Sequence, residues 1–251
     1  RDDWTYARME QWKALRECTL QHPTLSSEEE SNNFMAHNTY VRLPKSMNTI
    51  YYNQESDYNK VSVSFTKSKD YPLEVSSTAA KLDVLMKNQN LKVFFEKKGW
   101  ATSFSLNEFI LSPPLFNNIY KGALGEVAGR FLLWDYLRLN LKEIEDPEVF
   151  ELFDYKIENT DIYVDFKNWH DKTRFDNDAM LKKIQSKSSC CNAKCILVIN
   201  VLSEHFTVPI KTNYGGIAVI QIPSLIDSND PNKPVFKALD IIRSCLNEFA
   251  D

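Results

Sequence analysis

The sequence is short of the marks that announce common activities. It has no GxxxxGK[ST] loop, no dinucleotide-binding glycine fingerprint and no GxSxG elbow, so the usual signatures of phosphate-cradling NTPases, nicotinamide enzymes and α/β-hydrolases are missing. No apolar run approaches the roughly eighteen residues a membrane helix needs, and no signal-peptide pattern is legible. There is no CxxC pair either. Cys190, Cys191 and Cys195 cluster ahead of His205, but Cys195 falls inside an apolar stretch, so buried free thiols are expected rather than a zinc site. The cysteine count is five, and an odd count in a chain of this size favours reduced thiols and a cytoplasmic setting. Nor is there an excess of positive charge. At a net charge of −4, any surface for nucleic acid must be a local patch, because non-specific affinity for phosphates comes from Lys and Arg.

What the chain does have is apolar material. With 251 residues, 43% of them hydrophobic and 12% aromatic, it can bury a sizeable core, and global disorder is excluded. The length suits one large domain or a domain with an elaborated extension. Opening on Arg1, it is expected to be a piece of a longer polypeptide. Trp4, Met9, Trp12, Leu15 and Leu20 have an approximately helical spacing, and residues 23–33 read as a linker. Residues 60–67 alternate apolar and polar as a strand with one wet face. Ser76 or Ser77 is expected to cap a helix running through Met86, and Leu91–Lys98 a second helix ending at Gly99. Ten Lys or Arg stand against six acids in residues 41–100; scattered surface lysines are the simpler account of that excess. Pro113-Pro114 marks a boundary. Residues 1–112 are therefore expected to be an accessory α+β region, and 113–251 a second domain.

That second domain begins with a helix expected from Asn117 or Asn118 to about Leu139. It carries Gly122, Gly125 and Gly129, each costing roughly 1 kcal/mol in a helix interior. Close approach of another backbone would account for them. Glu126 lies on that small-residue side with room to reach inward; pairing with Arg130 at the surface is the competing account.

The stretch that follows, 149–169, folds as a hairpin if Glu158–Asp161 form a four-residue loop. Ile157 then faces Ile162, Tyr155 faces Val164, Asp154 faces Asp165, Phe153 faces Phe166 and Leu152 faces Lys167. Since side chains alternate along a strand, one face collects Phe153, Tyr155, Ile157, Ile162, Val164 and Phe166. The other collects Asp154, Asp165 and Lys167, with Lys156, Tyr163 and Trp169 beside them. Two carboxylates abreast repel by up to roughly 1 kcal/mol, and a hard divalent cation such as Mg²⁺ would relieve that. The chemistry of such a group is metal-assisted attack on a phosphodiester, with the lysine orienting the nucleophile or offsetting charge. An ordinary amphipathic hairpin with a solvated Asp-Asp-Lys face is the alternative.

Asp154, followed eleven positions later by Asp165-Phe166-Lys167, resembles the D…(D/E)xK signature of the PD-(D/E)xK nuclease superfamily. Glu126, in Gly125-Glu126-Val127-Ala128-Gly129, matches the acid that a preceding helix often supplies there. Asp154 follows Phe153 rather than Pro, and the DxK carries Asp where Glu is commoner. The resemblance covers roughly residues 117–222. It implies a three-layer α/β/α restriction-endonuclease-like core around a mixed sheet. It also implies a Mg²⁺- or Mn²⁺-dependent DNase, with RNA left open as substrate. Asp154 and Asp165 would then be metal ligands, Glu126 an auxiliary ligand or water-orienting base, and Lys167 the activator. Trp169 would pack beside a nucleotide, and Lys183 and Lys187 would contact phosphates from the next helix. His170 is expected to be an ordinary loop histidine. The pattern resembles nuclease modules of bacterial helicase-like, mobile-element or defence proteins, which implies a homodimer or docking to a helicase-type ATPase, with residues 1–112 presenting DNA. The alternative in the same fold is a catalytically idle module that binds DNA or a partner.

Beyond the hairpin, residues 194–202 and 217–222 are nearly continuous apolar runs, expected as strands buried on both faces. A helix over residues 234–249, with Val235, Leu239, Ile242, Leu246 and Phe249 inward, closes the chain.

Overall fold

The computed structural model describes residues 9–10, 13, 16–25, 52–53, 60–61, 65–67, 72–104, 109–111, 117–150, 152–167, 179, 182, 191–203 and 209–250. Contacts divide the chain into two units, Arg1–Met86 with Lys92–Leu124, and Lys87–Leu91 with Gly125–Asp251.

Short strands in the first unit are β1 (Thr24–Leu25), β2 (Tyr52–Asn53), β3 (Lys60–Val61), β4 (Phe65–Lys67) and β5 (Phe109–Leu111). β2 pairs with β3, while β1, β5 and β4 form an antiparallel sheet in that order. The described ends of the alternating 60–67 stretch, β3 and β4, are both extended and join different sheets. Helix α1 (Pro72–Leu85) starts ahead of the expected serine cap. Proline suits a first helical position, where its fixed φ is correct and its missing N–H is not needed. Helix α2 (Gln89–Lys98) is capped by Asn88, whose Oδ1 accepts from Leu91 N at 2.9 Å. It stops at Gly99, whose φ of 71° belongs to the left-handed region that glycine occupies without a Cβ penalty. Around it Trp100 meets Phe95 edge-on at 5.4 Å and donates its indole N–H to Glu17 at 2.9 Å.

The second unit is mixed α/β, built on an open six-stranded sheet. Its strands are β6 (Leu141–Glu143), β7 (Tyr155–Ile157), β8 (Ile162–Lys167), β9 (Cys195–Asn200), β10 (Ile210–Tyr214) and β11 (Ile217–Ile222). They lie in the order β10-β11-β9-β8-β7-β6. β8, β9 and β11 run parallel, and antiparallel pairs flank them. Helix α3 (Gly122–Leu137) follows a wide π-helical turn, Asn117–Lys121. The short α4 (Pro147–Phe150) and the closing α5 (Phe236–Phe249) complete the set used below.

The parallel strands read as apolar runs because both of their faces are covered. One face carries Val164, Phe166, Leu197, Ile199 and Ile220, all buried. Each such side chain contributes roughly 1.5–3 kcal/mol by leaving water. Here α3 comes so close that a Cβ on Gly129 would overlap the Phe166 ring, and buried Cys195 faces buried Cys245 of α5. The other face packs Tyr163, Ile196, Val198 and Val219 against Ile144, Val149 and Phe153. Ile242, Leu239 and Cys245 face inward from α5, whereas Leu246 and Phe249 are only half-buried.

Candidate active site

The site is built at the open end of the β7–β8 hairpin, away from its turn. Two local devices fix that turn. Asn159 adopts φ 58°, a left-handed conformation that asparagine tolerates better than most residues. Thr160 Oγ1 donates to Ile157 O at 2.8 Å and accepts from Ile162 N at 3.1 Å. The resulting register pairs Tyr155 with Val164 and Lys156 with Tyr163, as the four-residue loop predicts.

Past Tyr155 the ladder does not continue. Asp146 Oδ1 accepts from Glu148 N at 2.8 Å and Pro147 begins α4, so residues expected as strand turn helical instead. Phe153 N bonds Val149 O at 3.0 Å. Phe153 is thereby swung to the opposite side of the sheet from Tyr155, where its ring lies 5.1 Å from Tyr163. The expected Phe153–Phe166 and Leu152–Lys167 pairings are thus replaced by a kink centred on Asp154. The Asp154 amide donates to Val164 O at 3.0 Å, and its carboxylate accepts from Phe166 N at 2.7 Å. Asp154 therefore bonds the backbone between Asp165 and Lys167 instead of standing across a regular ladder from Asp165.

Asp165 is buried at 6% exposure, flanked by Val198 in the adjacent strand. This is not the solvated face of an ordinary amphipathic hairpin. Its carboxylate meets the Lys167 ammonium at 2.9 Å. Burial by itself would push the Lys167 pKa down. The Asp165 charge and hydrogen bond, followed by the charges of Asp154 and Glu126, more than offset that and hold it above the ordinary lysine range. Three carboxylates from α3, the kink and β8 thus act on one ammonium.

Glu126 is 8% exposed rather than at the surface. Arg130, its proposed surface partner, reaches Glu143 at 3.4 Å and Leu141 O at 3.1 Å and lies 4.9 Å from the Tyr155 ring. Gly129 admits an aromatic side chain, Phe166, rather than another backbone, and so brings α3 onto the strand that carries the site.

Two polar residues were not singled out in the sequence. Asn200 is in register with Lys167, and Gln221 continues the row Asp165–Val198. Partners across parallel strands point to the same face, so both line the site's side of the sheet. The signal was present: each is the polar interruption of an otherwise apolar strand.

Trp169, His170, Lys183 and Lys187 lie outside the described residues, as do Cys190 and His205. Among the described residues, no three His, Cys, Asp or Glu side chains gather closely enough to form a metal cage, and no helix is long and apolar enough to cross a membrane. No protein-family model matches the chain, and no curated protein matches it.

Proposed function

We propose that the second unit is the core of a metal-dependent nuclease of the PD-(D/E)xK type that hydrolyses phosphodiester bonds in DNA. Its sheet and helices would then be an elaborated three-layer α/β/α core, with the first unit as its accessory region. The observation that carries this reading is the Lys167–Asp165 contact at 2.9 Å together with the action of Asp154 and Glu126 on the same ammonium. Glu126 from a separate helix thus bears on the same point as Asp154, Asp165 and Lys167 of the hairpin region.

The donor set is all carboxylate oxygen, which suits Mg²⁺ or Mn²⁺ and not a soft metal. Mg²⁺ characteristically takes one or two carboxylates and fills its other positions with water and phosphate oxygens, so Asp154 and Asp165 would suffice. A carboxylate offers about four lone-pair sites, and the bonds to Lys167 and Phe166 N do not exhaust them. When bound, the ion would supply Lewis acidity and a water more easily deprotonated. Lys167 is an ammonium at neutral pH. It therefore cannot accept a proton there, and its role is to orient the nucleophile and offset charge on the phosphorane oxygens. Glu126 would orient the attacking water. The closed Asp165–Lys167 pair also favours a second reading, an idle module that binds DNA or a helicase-like partner without cutting.

The two readings separate in cleavage assays on single- and double-stranded DNA and RNA with Mg²⁺ and with Mn²⁺. Wild type is expected to cut DNA. Asp165→Asn and Lys167→Ala are expected to lose cleavage by about a hundredfold or more while binding survives. Wild type that binds DNA but cuts nothing under either metal establishes the idle module.

A further inference from the structure

Helix α3 does more than deliver Glu126. Glu126, Arg130 and Trp134 step four residues at a time along the helix, each turned by about 40° from the last and running from the buried acid toward the surface, and Arg138 follows directly on the helix end. Trp134 follows Glu126 by about 12 Å along the axis at about 1.5 Å per residue. Its indole is 46% exposed, an unusual placement for the largest apolar side chain unless that surface is used. The Arg138 guanidinium stacks on it, 4.5 Å from the ring centroid, and reaches the Asp135 carboxylate at 4.0 Å.

The backbone at Arg138 supplies an independent observation. Arg138 has φ 56°, Arg138 N bonds Trp134 O at 2.8 Å and Leu139 N bonds Leu133 O at 3.3 Å. This is a left-handed helix ending, a position where glycine is the usual occupant. A side chain there costs stability, and such costs concentrate at functional positions. The macrodipole favours a cation somewhere in the last turn, but it does not ask for one at the left-handed residue itself.

We propose that Trp134 and Arg138 form a landing for an unpaired nucleic-acid strand on its way to the acidic site. One base stacks on the exposed indole face, and the guanidinium pairs with the adjoining phosphate. A base presents its π-face only when it is out of a duplex, so this surface favours single-stranded or frayed substrate over intact duplex. Charge complementarity favours the same occupant, since arginine recognises phosphate by bidentate hydrogen bonds. Even at the roughly 3.4 Å per nucleotide of a fully stacked strand, the landing lies no more than about four nucleotides from Glu126. The inference rests on the nuclease reading and adds to it the form of the substrate.

The test is fluorescence anisotropy of a labelled oligothymidylate and of a duplex of equal length, with the full chain in EDTA, alongside cleavage in Mg²⁺. Wild type is expected to bind the single strand more tightly. Trp134→Ala weakens that binding on the order of tenfold to a hundredfold, and Trp134→Phe keeps most of it. Arg138→Gly is the sharper variant. It leaves Tm unchanged or raises it, because glycine fits the helix end, yet it weakens binding and lowers the salt slope by about one. If wild type cuts DNA while Trp134→Ala and Arg138→Gly bind the single strand as wild type does, the landing is wrong and the active-site reading stands. If wild type neither binds nor cuts any nucleic acid, the active-site reading falls and takes the landing with it.

Discussion

An ammonium paired with Asp165 and within the field of Asp154 and Glu126 responds to pH in one direction. The folded-state pKa of Lys167 lies above its ordinary value, so its contribution to stability is complete below about pH 10.4, the unfolded value. That contribution is lost as pH rises through the higher folded value. The stability advantage of wild type over Lys167→Met, measured by urea unfolding, should hold from neutral pH to about 10 and shrink above it. An advantage that grows in that range would show that the carboxylates do not act on the lysine. Asp161 behaves oppositely. The hydrogen bond from Lys194, at 3.0 Å, together with the Lys194 and Lys156 charges, holds its carboxyl below the usual range. Its contribution is present above about pH 3.9 and lost as pH falls through the depressed value. Lys194 is well exposed, so water and salt weaken this pair. Asp161 organises the hairpin loop without dominating acid stability.

At the scale of elements, the contact of Gly129 with Phe166 sets how near α3 lies to β8. Gly129→Ala would gain helix propensity of about 1 kcal/mol, but its Cβ must displace a buried aromatic ring, at a typical cost of about 1–3 kcal/mol. A net loss of Tm is expected in thermal unfolding. A loss of cleavage larger than that Tm loss explains is expected too, because Phe166 lies between Asp165 and Lys167. Gly129 also shows what sequence could reveal. A costly glycine one turn from Glu126 announced a close approach, though not that the approaching group was a ring, and the same argument fails at Gly122, whose Cβ position meets nothing. The hairpin register was legible because the Glu158–Asp161 loop and the apolar alternation agreed. The kink at Asp154 was not, because periodicity carries no record of a side-chain carboxylate taking the place of a ladder bond. Asp146-Pro147 was a helix-start signal in plain view, overridden by the apolar residues after it. In residues 60–67 the alternation foretold extended chain, which both described ends show, but alternation does not say which partners two ends will find.

At the scale of the whole molecule, five residues far upstream in sequence belong to the unit that holds the site. Asn88 donates to Pro231 O at 2.8 Å and to Tyr136 Oη at 3.3 Å, while its Oδ1 caps α2. Leu91 is fully buried. Asn88→Ala removes a cap and two part-buried hydrogen bonds, a loss of about 1–2 kcal/mol that chemical denaturation would register. A fragment starting at residue 113 would forfeit the same bonds. Such a dependence escapes sequence reading because composition shifts mark linkers and not the return of a short segment to a distant unit. The far end of the second unit has a practical corollary. Ala250 bridges to Thr160 at the hairpin tip, and β8 runs from that tip to Lys167, five residues or about 17 Å away. A fluorophore or affinity handle attached after residue 250 would therefore emerge on the side remote from the acidic cluster, leaving its entrance clear for the oligonucleotide experiments described above.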